Sequence, residues 1–212
     1  NGEPMPMYYD YNGTKYAFTG GDAIYEDVNH DGSIDQYDVV YLGSSLPKLT
    51  GGFGFRLFYK GWSLNAQFNY RYGNKIANVA RMRAENMHGA DNQSTAVNYR
   101  WRKEGDGANG GHVLPRALYG QGYNWMGSDR FVEDGSFLRL NYLQFSYGFD
   151  SKLIKRIGLS RLNLYVSGEN LFCLTKYSGV DPEVNYGDMG VTKDEAITPR
   201  AKSFTFGLTA TF

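Results

Sequence analysis

The sequence predicts an all-β fold, the antiparallel strands of a transmembrane β-barrel, on three observations. Side chains alternate apolar and polar with a period of two, aromatic residues and glycine are abundant, and the connections are very unequal in length. Alternation is clearest from Trp62 to Tyr72, where Trp62, Leu64, Ala66, Phe68, Tyr70 and Tyr72 interleave with Ser63, Asn65, Gln67, Asn69 and Arg71. A strand sends these two sets to opposite faces, whereas a helix would mix them.

Just upstream, Phe53, Phe55, Leu57 and Tyr59 alternate with Gly52, Gly54, Arg56 and Phe58, and Lys60-Gly61 supplies a two-residue turn, so the pair reads as a β-hairpin. Between Gly135 and Phe149 the phase changes. Leu138, Leu140 and Tyr142 lead, then Leu143, Phe145, Tyr147 and Phe149 follow, which implies a β-bulge near Asn141 to Leu143 or a strand whose upper half leaves the membrane. Leu162, Leu164 and Val166 repeat the pattern, and so do Phe204, Phe206, Leu208, Ala210 and Phe212. The expected strands are 49–60, 62–73, 136–150, 161–173 and 203–212.

Composition agrees, because 18 Tyr, 13 Phe and 27 Gly against 6 Pro favour strands and turns. No stretch approaches the ~20 apolar residues of a membrane helix, which excludes helical spans but leaves barrel strands open, since their alternation disappears in a hydropathy average. With 22 basic and 22 acidic side chains and no basic run, nucleic acid is excluded as a partner. Cys173 is the single cysteine, without a CxxC neighbour, and reads as a small apolar filler.

Loop lengths give direction. The Lys60-Gly61 turn and the Asp150–Ser160 link are short, whereas Gly73–Asp134 and Leu174–Lys202 far exceed the usual ~4 to 6 residues. Short turns at one end and long loops at the other describe an outer-membrane barrel, and parity places both long loops outside if the last strand ends in the periplasm. Tyr59 and Trp62 at the short turn, with Tyr70 and Tyr72 at the far end, suit interfacial girdles.

Five strands cannot close a barrel, because single-chain barrels begin at about eight strands and open edges are not tolerated in hydrocarbon. The sequence therefore reads as the last five or so strands of a larger barrel, one of about 22 strands if it belongs to the 22-stranded transporter class, with the remainder N-terminal and Phe212 a terminal aromatic of the kind that ends such barrels. Residues 1–47 form an extracellular loop segment and residues 48–212 the barrel strands and their loops. A soluble β-sandwich would also alternate, but would not readily hold a loop of about sixty residues.

One segment carries metal-ligand spacing. Asp27, Asn29, Asp31, Ser33, Asp35 and Asp38 stand at positions 1, 3, 5, 7, 9 and 12 of a twelve-residue loop whose sixth residue is Gly32. A hard cation such as Ca²⁺, or alternatively Mg²⁺, wants that oxygen set, with Ser33 giving its backbone carbonyl. The competing reading is a solvated acidic turn in which Asn and Asp bond to nearby amides.

Four blocks together resemble SusC/RagA-type TonB-dependent transporters. They are Gly21 to Asp35 followed by Val40 to Pro47, the Gly51-Gly52-Phe53-Gly54-Phe55 hairpin, Ser136 to Leu143, and Leu164 to Phe172 leading to Tyr177-Ser178-Gly179-Val180-Asp181-Pro182-Glu183. The resemblance implies a plugged outer-membrane barrel energised through TonB, capped by a SusD-like surface lipoprotein, and importing oligosaccharides or peptides in Bacteroidetes-type bacteria. The TonB contact and the plug would belong to the N-terminal remainder. Two other readings stay open: a soluble Ca²⁺-dependent β-sandwich that binds carbohydrate, and a passive porin.

No enzyme activity is assigned. His30, His88 and His112 lie outside any HExxH, and there is no GxSxG or phosphate-cradling loop. The acidic pairs Asp188 and Asp194, or Asp181 and Glu183, have no readable separation. Candidate substrate contacts are Trp101, Tyr119, Tyr123 and Trp125 among Arg100, Arg102, Asn109, Gln121 and Asn124, a mixture able to stack on sugar rings or pack the loop. Arg56, Asn65, Gln67, Asn69 and Arg71 line the lumen as secondary candidates.

Overall fold

The computed structural model describes residues 7–106, 114–183 and 192–212. Asn109, His112 and Asp188 lie outside the described residues. In chain order the strands are β1 (Tyr8–Tyr11), β2 (Thr14–Ala17), β3 (Ser33–Ile34), β4 (Leu49–Tyr59), β5 (Trp62–Tyr72), β6 (Lys75–Asn78), β7 (Val132–Asp134), β8 (Phe137–Gly148), β9 (Arg161–Thr175), β10 (Lys193–Asp194) and β11 (Ser203–Thr211). Short α-helices are α1 (Val79–Ala84) and α2 (Ser151–Ile154).

The chain forms two compact units, Asn1–Leu42 with Asn78–Val132, and Gly43–Ala77 with Glu133–Phe212. The long segment 78–132 therefore groups with the leading segment, a division different from the boundary at residue 47. Asp22 bonded to Arg116 and Asn124, and Tyr16 stacked on Tyr123, join the two segments, and 78–132 has an apolar centre of its own, Met87, Val97, Trp125 and Phe131, flanked by Met82 and Leu114.

In the second unit, five strands make one antiparallel sheet in the order β11-β9-β8-β5-β4. The observed limits fall within two residues of those expected, and β9 runs on to Thr175. Lys60 and Gly61 both adopt positive φ, 45° and 87°, which gives the two-residue turn the twist that the flanking strands need. The bulge is present. Gln67 pairs with Tyr142 while Phe68 pairs with Leu140, so Asn141 is the extra residue. On the other side, Asn170 at φ 52° marks the matching irregularity in β9, a conformation that Asn tolerates through local bonding.

That bulge corrects one assignment. Tyr142 leaves the apolar set, pairs with Gln67 and Glu169, and donates its hydroxyl to Gln144 at 2.5 Å. The sheet then has a mainly apolar face and a mainly polar one. One stacks Phe53 on Phe68 at 4.9 Å and Trp62 on Phe145 at 4.7 Å. It continues through Phe204, Phe206 and Leu208, all largely exposed, as a face turned to lipid must be. The other carries Asn65, Gln67 and Asn69, with Ser63 and Ser146 bonded at 2.8 Å.

The Asp150–Ser160 link is a capped helical turn. Asp150 accepts from the Lys152 amide at 2.8 Å, Ile154 is buried, and Gly158 at φ 78° ends it. A small sheet, β10-β6-β7, also forms, with Ile76 fully buried against Tyr177.

The first unit holds a sheet in the order β2-β1-β3. Asn12 and Gly13, at φ 50° and 77°, turn the β1–β2 hairpin, an NG signal of the usual hairpin kind. β3 joins β1 in parallel and buries Ile34.

Candidate functional site

The loop from Asp27 to Asp38 is tied by its own carboxylates. Asp27 accepts from the amides of Asp31 at 3.2 Å and Gly32 at 2.8 Å. Asn29 Oδ1 accepts from the Asp31 amide at 3.1 Å, while its Nδ2 donates to Asp31 Oδ2 at 2.9 Å. Asp31 Oδ1 accepts from the Ser33 amide at 2.9 Å. Asp38 closes the loop by accepting from the Val28 and Asp35 amides, each at 2.8 Å, and Asp35 accepts from the Tyr37 amide at 2.7 Å.

His30 at φ 61° and Gly32 at φ 84° make the two sharp turns that bring these groups round. The donor set is all oxygen, as a hard cation requires. Among the described residues, however, no three His, Cys, Asp or Glu side chains are gathered closely enough to hold a metal. In this geometry the Asp and Asn side-chain oxygens accept from amides of the same loop.

A second node lay outside the sequence reading. The Asp22 side chain, 1% exposed, accepts from Arg116 Nε at 2.7 Å, Asn124 Nδ2 at 2.9 Å, the Tyr16 hydroxyl at 2.8 Å and the Thr19 amide at 2.9 Å. Burial alone would raise its carboxyl, but the donors from Arg116, Asn124, Thr19 and Tyr16 outweigh it and hold it at about 2. Burial and the Asp22 carboxylate push the Tyr16 hydroxyl up. No local spacing signals this node, because its members come from segments about a hundred residues apart.

The four aromatic candidates do not form one surface. Trp125 is 3% exposed, beneath Arg130 at 4.6 Å, and cannot stack on a solute. Tyr123 is held between Tyr16 at 4.2 Å and Tyr9 at 5.1 Å, and its carbonyl accepts from Tyr25. Trp101 lies on Gly21, where φ is 87° and a Cβ would come within 2.3 Å of the ring. Tyr119 is 82% exposed.

The polar companions serve the backbone. Arg100 and Arg102 donate to the carbonyls of Val97 and Asn98, and Asn124 is buried between Asp22 and the Ala23 amide. His88 pairs with Asn86. Trp101 does line an open cleft of about 1280 Å³ within the first unit, with Ile24, Val39, Met126, Arg81 and Arg130.

On the polar face of the five-stranded sheet the acidic pair is spoken for. Arg139 donates to Asp181 at 2.5 Å, and its Nε lies 2.8 Å from Glu183 Oε2, within ion-pair range though not aligned as a hydrogen bond. Asn69 donates to Glu183 at 3.3 Å. Asp194 accepts from the buried Tyr177 hydroxyl at 2.5 Å, and burial followed by that carboxylate pushes the phenol up.

No family model matches the chain. It is 30% identical over 199 residues to TonB-dependent receptor P3 of Formosa agariphila, covering 91% of this chain and 19% of the relative. It is 28% identical over 213 residues to TonB-dependent receptor SusC of Bacteroides thetaiotaomicron, covering 96% and 18%. Among solved structures it is similar to the RagAB peptide transporter, with a TM-score of 0.71 at 24% identity, and to the open-open state of the RagAB peptide importer, with a TM-score of 0.68 at 23%. Each match covers 98% of this chain and 22% of that one.

The chain thus spans about a fifth of the length of the curated relatives it matches. None of these names is that of an enzyme. In sequence this chain is similar to TonB-dependent receptors along nearly its whole length, and its fold is that of a segment of a β-barrel wall like that of RagAB.

Proposed function

We propose that the chain forms part of a TonB-dependent importer that carries oligosaccharides or peptides inward across the outer membrane with a SusD-like surface lipoprotein. The supporting observation is the five-stranded sheet with one continuous apolar face and one hydrogen-bonded polar face, in a chain similar to TonB-dependent receptors along almost its whole length. A barrel in which lipid and lumen faces alternate supplies the path, and the long loops sit where a solute would arrive. RagAB is named a peptide importer, which favours a peptide as the first solute to try.

Uptake by cells that express the full-length protein tests this. Loss of uptake when TonB is removed supports active import, whereas undiminished uptake supports a passive porin. Purification of this chain as a stable, detergent-free monomer would favour the soluble carbohydrate-binding module.

We also propose that the loop from Asp27 to Asp38 takes up Ca²⁺ by drawing Asp27, Asn29, Asp31, Asp35, Asp38 and the Ser33 carbonyl inward, stiffening an extracellular loop. Supporting this is the way Asp38 ties residues 28 and 35 together, closing the twelve-residue ring. Calorimetry tests it: Asp27→Ala with Asp31→Ala should abolish Ca²⁺ binding. No Ca²⁺ heat in the unmodified protein would leave the self-capped turn.

A further inference from the structure

Asp181 and Glu183 converge on one guanidinium of the barrel wall. The side chains of Arg139, Asp181 and Glu183 are 5%, 7% and 10% exposed. Beyond its contacts to Arg139 and Asn69, Glu183 lies 3.3 Å from the guanidinium of Arg200. Asp181 folds the turn by accepting from the Glu183 amide at 2.9 Å and the Arg200 amide at 3.3 Å. Pro182, fully buried, sits between the two acids.

The place of this turn follows from register. Asn69 of β5 pairs with Arg139 of β8, and Arg139 pairs with Cys173 of β9, so the three lie side by side on the polar face. The turn therefore covers the lumenal side of the three central strands. Its hold is mostly ionic: two carboxylates share one buried guanidinium, and the second cation, Arg200, is 52% exposed. Buried ion pairs make little net contribution to stability when complete but lose strongly when one partner is removed, which suits a contact meant to open. The strand ladders do not use it, so the turn can lift while the wall stays intact.

We propose that the Asp181-Pro182-Glu183 turn is a releasable strap across the lumen, anchored by Arg139 and released from the Arg200 side, and that lifting it widens the transit path. Only the transport consequence rests on the importer reading. The movement itself is read separately.

The test uses full-length protein in outer-membrane vesicles, with every cysteine other than Cys173 replaced by serine and a bulky, membrane-impermeant maleimide as probe. Asp181→Asn with Glu183→Gln removes both charges and keeps both shapes. Labelling of Cys173 should accelerate at least about tenfold, as expected when a buried cation loses its partners. Arg200→Gln should give a smaller acceleration, and single-channel conductance should rise with labelling. A double variant that keeps the heat-modifiable gel mobility of a folded barrel yet labels at the unmodified rate would overturn the strap. Should the double variant fail to fold, Arg200→Gln carries the test, and an unchanged rate there would overturn it equally. Unchanged uptake beside faster labelling would count against the importer reading and leave the strap standing.

Discussion

Phe53 and Phe68 stack across the β4–β5 pair with ring centroids 4.9 Å apart and planes 10° from parallel. That contact fixes which face of the hairpin meets lipid, because a slip of one residue would send Phe53, Phe55 or Phe68 to the lumen. Phe68→Arg should destabilise the barrel by about 2–4 kcal/mol if its position lies near the bilayer midplane. Gln67→Arg, one residue away on the opposite face, should be tolerated. Denaturant unfolding of the full-length protein in lipid compares the two, and equal costs would count against the register.

Gly135 is wedged against two fully buried side chains. A Cβ there would lie 2.4 Å from Asn74 Nδ2 and 2.7 Å from Ile76 Cδ1. Gly135→Ala is expected to cost about 1–3 kcal/mol through overpacking. The loss should appear as faster amide exchange around β6, whose neighbour supplies the Asn74 carbonyl to the Gly135 amide at 2.9 Å.

Asp22 gives the first unit a pH dependence of defined sign. Its carboxyl sits at about 2 in the fold against an ordinary 3.8, so its contribution is fully present above pH 3.8 and is lost as pH falls toward 2. Asp22→Asn should remove that acid sensitivity and loosen the packing around Arg116 and Asn124 at neutral pH. Limited proteolysis as a function of pH reads both effects.

Trp125 and Tyr119 should separate packing from contact with solute. Trp125→Ala is expected to cost about 3–5 kcal/mol, the usual price of deleting a large buried side chain. Tyr119→Ala, at an exposed site, should change stability by no more than about 0.5 kcal/mol. Any loss of solute affinity in the Tyr119 variant then reports contact rather than unfolding.

The barrel strands were legible because two-residue alternation is written directly into side-chain order, and the bulge at Asn141 showed itself as a break in phase. The position of Tyr142 was not legible, since a bulge can be placed before or after an aromatic residue with the same apolar count. Nor was the β1–β2 hairpin singled out, although Asn12-Gly13 is a hairpin signal. The Asp27–Asp38 loop stands out by its spacing, yet spacing is silent on whether carboxylates turn toward an ion or toward their own amides. Asp22 with Arg116, and Arg139 with Asp181, escaped because charge pairs between distant segments leave no periodic trace.

The central claim, that the even-numbered face of β5 meets lipid and the odd-numbered face meets the lumen, is tested most directly by nitroxide scanning. Single labels at positions 64 to 69 of the full-length protein in bilayers would be measured for collision with oxygen and with a water-soluble nickel chelate. Oxygen accessibility should peak at 64, 66 and 68 and nickel accessibility at 65, 67 and 69, with a period of two. Equal nickel accessibility at all six positions, or the opposite phase, would contradict the account.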